Sequence, residues 1–167
     1  MRHLKIPLFA LLATIAAGIA FAQGAQVAFG GLQHDTTLPV EMSADKLRID
    51  QGDGTALFTG NVLIGQGEMR LSAAKVRVEY ATKEGDATGR VSRLFATGGV
   101  TLVSGAEAAE AQQAEYSIDT GVIVMTGNVI LTQGRNALSS DKMTINLTTG
   151  VGAMDGRVKS ILRTGNN

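Results

Sequence analysis

Thr55-Ala-Leu-Phe-Thr-Gly-Asn-Val-Leu-Ile-Gly-Gln-Gly67 returns later in the chain as Val122-Ile-Val-Met-Thr-Gly-Asn-Val-Ile-Leu-Thr-Gln-Gly134. The offset of 67 residues runs without a gap to the end of the chain. Leu71-Ser72 matches Leu138-Ser139, Lys75 matches Lys142, Gly89-Arg90-Val91 matches Gly156-Arg157-Val158, and Thr97-Gly98 matches Thr164-Gly165. Residues 59–99 and 126–166 share 16 identities in 41 positions, so the chain carries a tandem repeat. In the first copy Ala56, Phe58, Gly60, Val62 and Ile64 fall on one face, and Thr55, Leu57, Thr59, Asn61 and Leu63 on the other. Alternation with period two, bounded by Gly and Asp clusters, is the signature of a β-strand. A glycine in mid-strand marks a bulge or bend, and each Thr-Gly pair is read that way.

The same alternation continues on both sides. Val40-Glu-Met42 follows Pro39, Leu47-Arg-Ile49 precedes a turn at Gln51-Gly-Asp-Gly54, and Met69-Arg-Leu71 leads to Val76-Arg-Val78-Glu-Tyr80. Residues 81–89 read as a polar turn region. Residues 105–115 are rich in Ala, Glu and Gln, which favour helix. The repeat register places Ala109 and Ala111 on the positions of Met69 and Leu71, and a strand is expected there instead. The fold class expected is all-β, a repeated sandwich, roll or short solenoid built from tandem antiparallel strands with many tight turns among 21 glycines.

Arg2, His3 and Lys5, an apolar run over residues 6–21 and the small-x-small triplet Ala20-Phe21-Ala22 read as a cleavable signal peptide spanning residues 1–22. Retention of that segment as a membrane anchor is the rival reading. Residues 23–37 read as a flexible lead-in, and residues 38–167 as the β domain. Beyond the signal the chain has 13 basic and 15 acidic residues and no charge block, which argues against nucleic acid as a partner. There is no cysteine, so no disulfide supports the fold.

Catalytic raw material is scarce. His34, with Asp35 beside it in the lead-in, is the one histidine after the signal; no nucleophile–imidazole pair or histidine-based metal site is expected. Asp53 between glycines reads as a hairpin turn, and Asp45, Asp50, Glu79, Asp119 and Asp141 as solubilising charge. No enzyme activity, metal or cofactor is expected. The apolar face has two competing readings: an ordinary core, or a lining for apolar ligands. Met42, Met69, Met125 and Met143, with small residues in place of bulky aromatics, suit an adaptable lining.

Leu38-Pro-Val-Glu-Met-Ser-Ala-Asp-Lys-Leu47, then Leu57-Phe-Thr-Gly-Asn-Val62 and Ala74-Lys-Val-Arg-Val78, resemble the LptA/OstA family of periplasmic lipopolysaccharide-transport proteins. Tyr116, Met125-Thr-Gly-Asn-Val129 and Ser140-Asp-Lys-Met143 extend the resemblance over residues 38–164. It implies an open, twisted β-jelly-roll with a trough for the acyl chains of lipid A. It also implies no catalysis, head-to-tail homo-oligomers, and partners in an LptC-like inner-membrane complex and an LptD-like outer-membrane translocon. Lining positions carried over from the family are Val40, Met42, Tyr116 and Ile118. The repeat register adds Phe58, Val62, Val100, Leu102, Met125 and Val129. In the last unit the inward positions expected are Ile161 and Arg163. An LptC-like anchored relative, or a β-repeat protein-interaction module without lipid, are the alternatives.

Overall fold

The computed structural model describes residues 25–28, 30–50 and 52–162. The expected signal peptide lies outside them. The strands are β1 (Ala25–Ala28), β2 (Glu41–Ser43), β3 (Lys46–Asp50), β4 (Thr55–Gln66), β5 (Met69–Lys83), β6 (Asp86–Ser104), β7 (Glu107–Ser117), β8 (Val122–Gln133), β9 (Asn136–Asn146), β10 (Val151–Asp155) and β11 (Lys159–Ile161). They form one antiparallel sheet in the order β1-β10-β9-β8-β7-β6-β5-β4-β2, with β3 also paired to β4 and β11 to β9. The sheet does not close into a barrel. The Ala-, Glu- and Gln-rich segment is strand β7, because β6 and β8 hydrogen-bond it on both sides and tertiary pairing overrides helix propensity.

One line of bulges crosses the whole sheet. Register shifts by one residue at Thr59/Val62, Thr97/Val100 and Thr126/Val129, where two residues face one on the partner strand. At each site two consecutive residues take positive φ: Gly60 and Asn61 (80° and 46°), Gly98 and Gly99 (85° and 82°), Gly127 and Asn128 (86° and 49°). Gly and Asn are the residues that enter this region at least cost, which explains why Thr-Gly-Asn recurs. Gly156 and Arg157 (76° and 43°) continue the line between β10 and β11, and Asp45 stands on it between β2 and β3. The ladder carries across both breaks, since the backbone amides of Asp45 and Asp141 donate to the carbonyls of Gly60 and Gly156, each at 2.9 Å.

This line is a crease that divides every long strand into two arms. On the first wall the inward residues include Val62, Ile64, Leu71, Val100, Leu102, Val129 and Leu131; on the second, Val76, Val78, Leu94, Ile123, Met125, Met143 and Ile145. All are at most 2% exposed. The tips of the first wall are two-residue hairpins opening on Gly67, Gly105 and Gly134, each with φ of 56°.

Three expectations are corrected. The polar turn of residues 81–89 contracts to Glu84-Gly85, because Lys83 pairs with Asp86 and the β5–β6 hairpin runs on to its tip. The 67-residue offset fails in the last unit. Lys75 pairs with Thr97, whereas Lys142 pairs with Asp155 rather than Thr164, because β9 turns into β10 after only residues 147–150. The crease glycine there is Gly156, 58 residues after Gly98; Gly89, its match in sequence, lies nine residues short of the crease. Ile161 consequently pairs with Ala137 and is 69% exposed, while Arg163 lies outside the described residues.

The lead-in is the third correction. Where described, it is built into the fold: β1 pairs with β10 at one edge of the sheet, β2 pairs with β4 at the other, and Leu32, in a 3₁₀ turn (Gly30–Leu32), is fully buried between them. Burial of a leucine stabilises by about 1.5–3 kcal/mol, and adds to the hydrogen bonds that hold this segment to both walls.

Candidate functional site

All ten expected lining residues belong to the interior. Val62, Val100, Leu102, Tyr116, Met125 and Val129 are at most 1% exposed, and Val40, Met42, Phe58 and Ile118 are half-buried against them. The fully buried six fill the space between the walls, so no open groove runs among them. The half-buried Val40, Met42 and Phe58 cluster toward the β2/β3 edge.

There the apolar inner face passes out into solvent. Leu47 is paired with inward Phe58, and Ile49 with inward Ala56; Leu47 and Ile49 are 53% and 61% exposed. Sequence reading placed Leu47 and Ile49 in a strand without assigning them to the site. Their alternation was visible, and the pairing that puts them on the inner face was not. At the β2 edge a recess of about 500 Å³ is lined by outward Leu63 together with Met42, Leu38 and Arg70.

At the rim opposite the crease, residues 30–40 cross from one wall to the other. The second wall receives the His34 amide on the Leu147 carbonyl at 3.1 Å and Gln33 Nε2 on the Thr148 carbonyl at 3.0 Å. On the first wall Gln66, 1% exposed, donates from Nε2 to the carbonyls of Thr36 and Leu38, both at 2.9 Å. Its Oε1 accepts from the Tyr116 hydroxyl at 2.6 Å and faces His34 Nε2 at 3.2 Å. Every hydrogen-bonding site of Gln66 is therefore engaged, as burial of an amide requires. The two carbonyls fix the orientation of the amide, so His34 Nε2 is the donor to Oε1. Burial pushes the Tyr116 phenol up to about 12, with the Gln66 hydrogen bond opposing. His34 is thus a half-buried member of this cluster, not a solvated loop residue beside Asp35. Glu107 adds a further tie, accepting the Gly31 amide on Oε1 at 3.3 Å; among the described residues its Oε2 is buried without a hydrogen-bond partner.

Two of the acids read as solubilising charge serve the crease. Asp45 accepts from Asn61 Nδ2 at 2.9 Å, and Asp141 accepts from both Nε and Nη2 of Arg157, the shortest contact at 2.7 Å. The Arg157 hydrogen bond holds the Asp141 carboxyl below the usual carboxylate range. Asp53 is a turn residue, accepting the Thr55 hydroxyl at 2.7 Å. Among the described residues no three His, Asp or Glu side chains come together as a metal site, and no helix is long and apolar enough to cross a membrane. The chemistry on offer is apolar contact with a small polar cluster at one rim.

Comparison with known proteins agrees with this architecture. The family model described as LptA/(LptD N-terminal domain) LPS transport protein matches residues 41–151. An uncharacterized protein of Rhizobium meliloti is 31% identical over 116 residues, covering 68% of this chain and 62% of that relative's length. The crystal structure of LptH, described as the LptA homologous periplasmic component of the lipopolysaccharide transport device of Pseudomonas aeruginosa, superposes with a TM-score of 0.66 at 16% identity. The match covers 77% of this chain and 98% of that one. At that identity the likeness is one of fold.

Proposed function

The chain belongs to the LptA/LptD amino-terminal-domain family of lipopolysaccharide transport proteins, and from that premise we propose that it is a periplasmic carrier which holds the acyl chains of lipid A between its two walls. The observation that carries the reading is the inner face itself: continuous, aliphatic, and running out uncovered onto Leu47 and Ile49 at the β2/β3 edge. Each CH₂ moved from water into such an interior gains about 0.8 kcal/mol, so several chains are held without nucleotide or metal. Val40, Met42 and Phe58 would meet the chains first, with Val62, Val100, Leu102, Tyr116, Ile118, Met125 and Val129 deeper. The protein acts by binding, not catalysis. It is exported by cleavage after Ala22, and the carrier domain takes in β1 and residues 30–37 as well as the β domain expected from residue 38 onward. Its exposed sheet edges suit head-to-tail stacking and docking to LptC-like and LptD-like partners in a bridge between membranes.

Photo-crosslinkers at Val40, Met42 and Leu47 are expected to capture lipopolysaccharide, and one at Leu57, on the outward face, to remain unlabelled. Equal labelling at Leu57 would remove the groove assignment. A second reading, a protein-contact module without lipid, draws on the tight interior, where six of the ten lining residues are at most 1% exposed. It requires that a fluorescent lipid A show no saturable, competitor-displaceable binding to the purified protein.

A further inference from the structure

We infer that residues 30–40 form a displaceable strap over the trough, and that Leu32 occupies, in the empty protein, space that an acyl chain takes when lipid enters. The inference rests on the carrier reading above. The interior is filled, so a guest chain needs a resident group to leave. Among the described residues, and apart from Leu147 in the β9–β10 turn, Leu32 is the only fully buried large side chain that no strand carries.

The strap's bonds are of a kind that can be released without unfolding the sheet. Every wall strand is held by a ladder on a neighbour, whereas the strap is held by isolated ties. These are His34 N to the Leu147 carbonyl, Gln33 to Thr148, the Gln66 amide to Thr36 and Leu38, and Gly31 N to Glu107. Its two ends remain anchored, because β1 and β2 lie in the ladders at opposite edges. A segment tethered at both ends and loosely tied between them can bow outward and return. The closed state also carries a penalty: Glu107 Oε2 is buried without a partner beside Gly31, and lifting the strap returns it to water. The Gln66–Tyr116–His34 cluster sits at the point where strap and both walls meet, and so sets how readily the rim opens.

The test is amide hydrogen exchange on the purified full chain, with and without a fluorescent lipid A whose uptake is read independently. Loading is expected to accelerate exchange of the His34 amide by about tenfold or more while the β5 and β8 ladders keep their protection. A Gln33→Cys, Thr148→Cys pair provides a second arm, since the exposed Gln33 side chain reaches the Thr148 backbone carbonyl across the rim. Once oxidised it is expected to slow lipid uptake by about tenfold, with recovery on reduction. If the pair does not close, as read by free-thiol titration, the exchange experiment decides alone. Lipid uptake with unchanged His34 protection overturns the strap and leaves the carrier reading standing. Absence of lipid uptake by the unmodified protein removes the carrier reading, and the strap with it.

Discussion

The Tyr116 hydroxyl donates a 2.6 Å hydrogen bond to Oε1 of Gln66, although β5 and β6 lie between their strands in the sheet. In a flat sheet three strand spacings would hold those backbones about 14 Å apart. The bond spans the interior because Gln66 ends an arm of the first wall and Tyr116 stands on the second. It is a direct measure of how far the crease has brought the walls together.

Gln66→Leu removes the partner of the Tyr116 hydroxyl, of His34 Nε2 and of two backbone carbonyls, and leaves them in a dry rim. Urea unfolding is expected to show a loss of about 2–4 kcal/mol. A loss below about 0.5 kcal/mol, the range of an ordinary surface change, would mean the cluster is not a closing device.

Tyr116 also sets an alkaline limit. Its phenol is neutral in the fold and its pKa is raised from 10.0 to about 12 by burial. A raised folded value means that the contribution is complete below pH 10 and disappears as pH climbs toward 12. Stability should therefore fall between those values by up to about 2.5 kcal/mol more in the unmodified protein than in Tyr116→Phe. Parallel pH profiles for the two proteins would contradict this.

The positive-φ glycines of the crease and of the hairpin tips differ in what an added methyl would meet. At Gly98, with φ of 85°, a Cβ would stand 2.7 Å from the Ala74 Cβ, which has no freedom to move aside. At Gly127 it would meet Gln112 Oε1 at 2.6 Å, the end of a side chain that can swing, and Gln112 Cβ at 2.9 Å, which cannot. At Gly134, with φ of 56°, it would meet nothing. Alanine substitutions are expected to rank accordingly in thermal unfolding. Gly134→Ala should lose about 1–2 kcal/mol, Gly98→Ala about 3 kcal/mol or more, and Gly127→Ala an intermediate amount. Equal losses would show that only φ matters there.

Arg157 holds a positive φ that Asn or Gly fills at the other bulges, and its bonds to Asp141 offset that strain. In Asp141→Asn the amides of β11 are expected to exchange faster, with the midpoint of global unfolding barely changed. Because the folded carboxyl is lowered, its contribution is present at neutral pH and lost as acid drives pH down through that lowered value. The unmodified protein should then fray at β11 in strong acid, an effect visible by amide exchange. Fraying at neutral pH would count against it.

Leu47→Ser with Ile49→Ser tests the edge. Both side chains are more than half exposed, so stability should change by less than about 0.5 kcal/mol for each. Lipid A uptake should fall several-fold. Met125→Ala, in the sealed interior, is expected to do the reverse, with about 2–5 kcal/mol of stability lost to a cavity. Unchanged uptake in the double variant would move the entrance elsewhere.

Local chemistry made the strands and the bulges readable in advance. Alternation gave the inward positions of Phe58, Val62, Met125 and Val129, and Thr-Gly-Asn marked the bends. What escaped was non-local. Gln, Gly and Thr in residues 30–40 look the same in a loose leader and in a strap whose partners, Gln66, Leu147 and Thr148, lie 28 to 115 residues away. The last register escaped because Gly156-Arg157-Val158 copies Gly89-Arg90-Val91 in letters, while a short turn moves it onto the crease. Asp45 and Asp141 looked like surface charge since nothing adjacent in sequence shows that Asn61 and Arg157 would meet them. Which inward residues are sealed and which reach solvent depends on the wall opposite each one, and no single strand carries that information.

Because each long strand crosses the crease, one hairpin supplies a slice of both walls at once. The last three crease glycines, Gly98, Gly127 and Gly156, follow one another at intervals of 29 residues, one per hairpin. Duplicating such a unit would lengthen the interior by about 10 Å, two strand spacings, while leaving its cross-section unaltered. Interior length in this architecture is therefore quantised. Evolution, or a protein engineer, can adjust it by counting hairpins, with no need to redesign the profile of the walls.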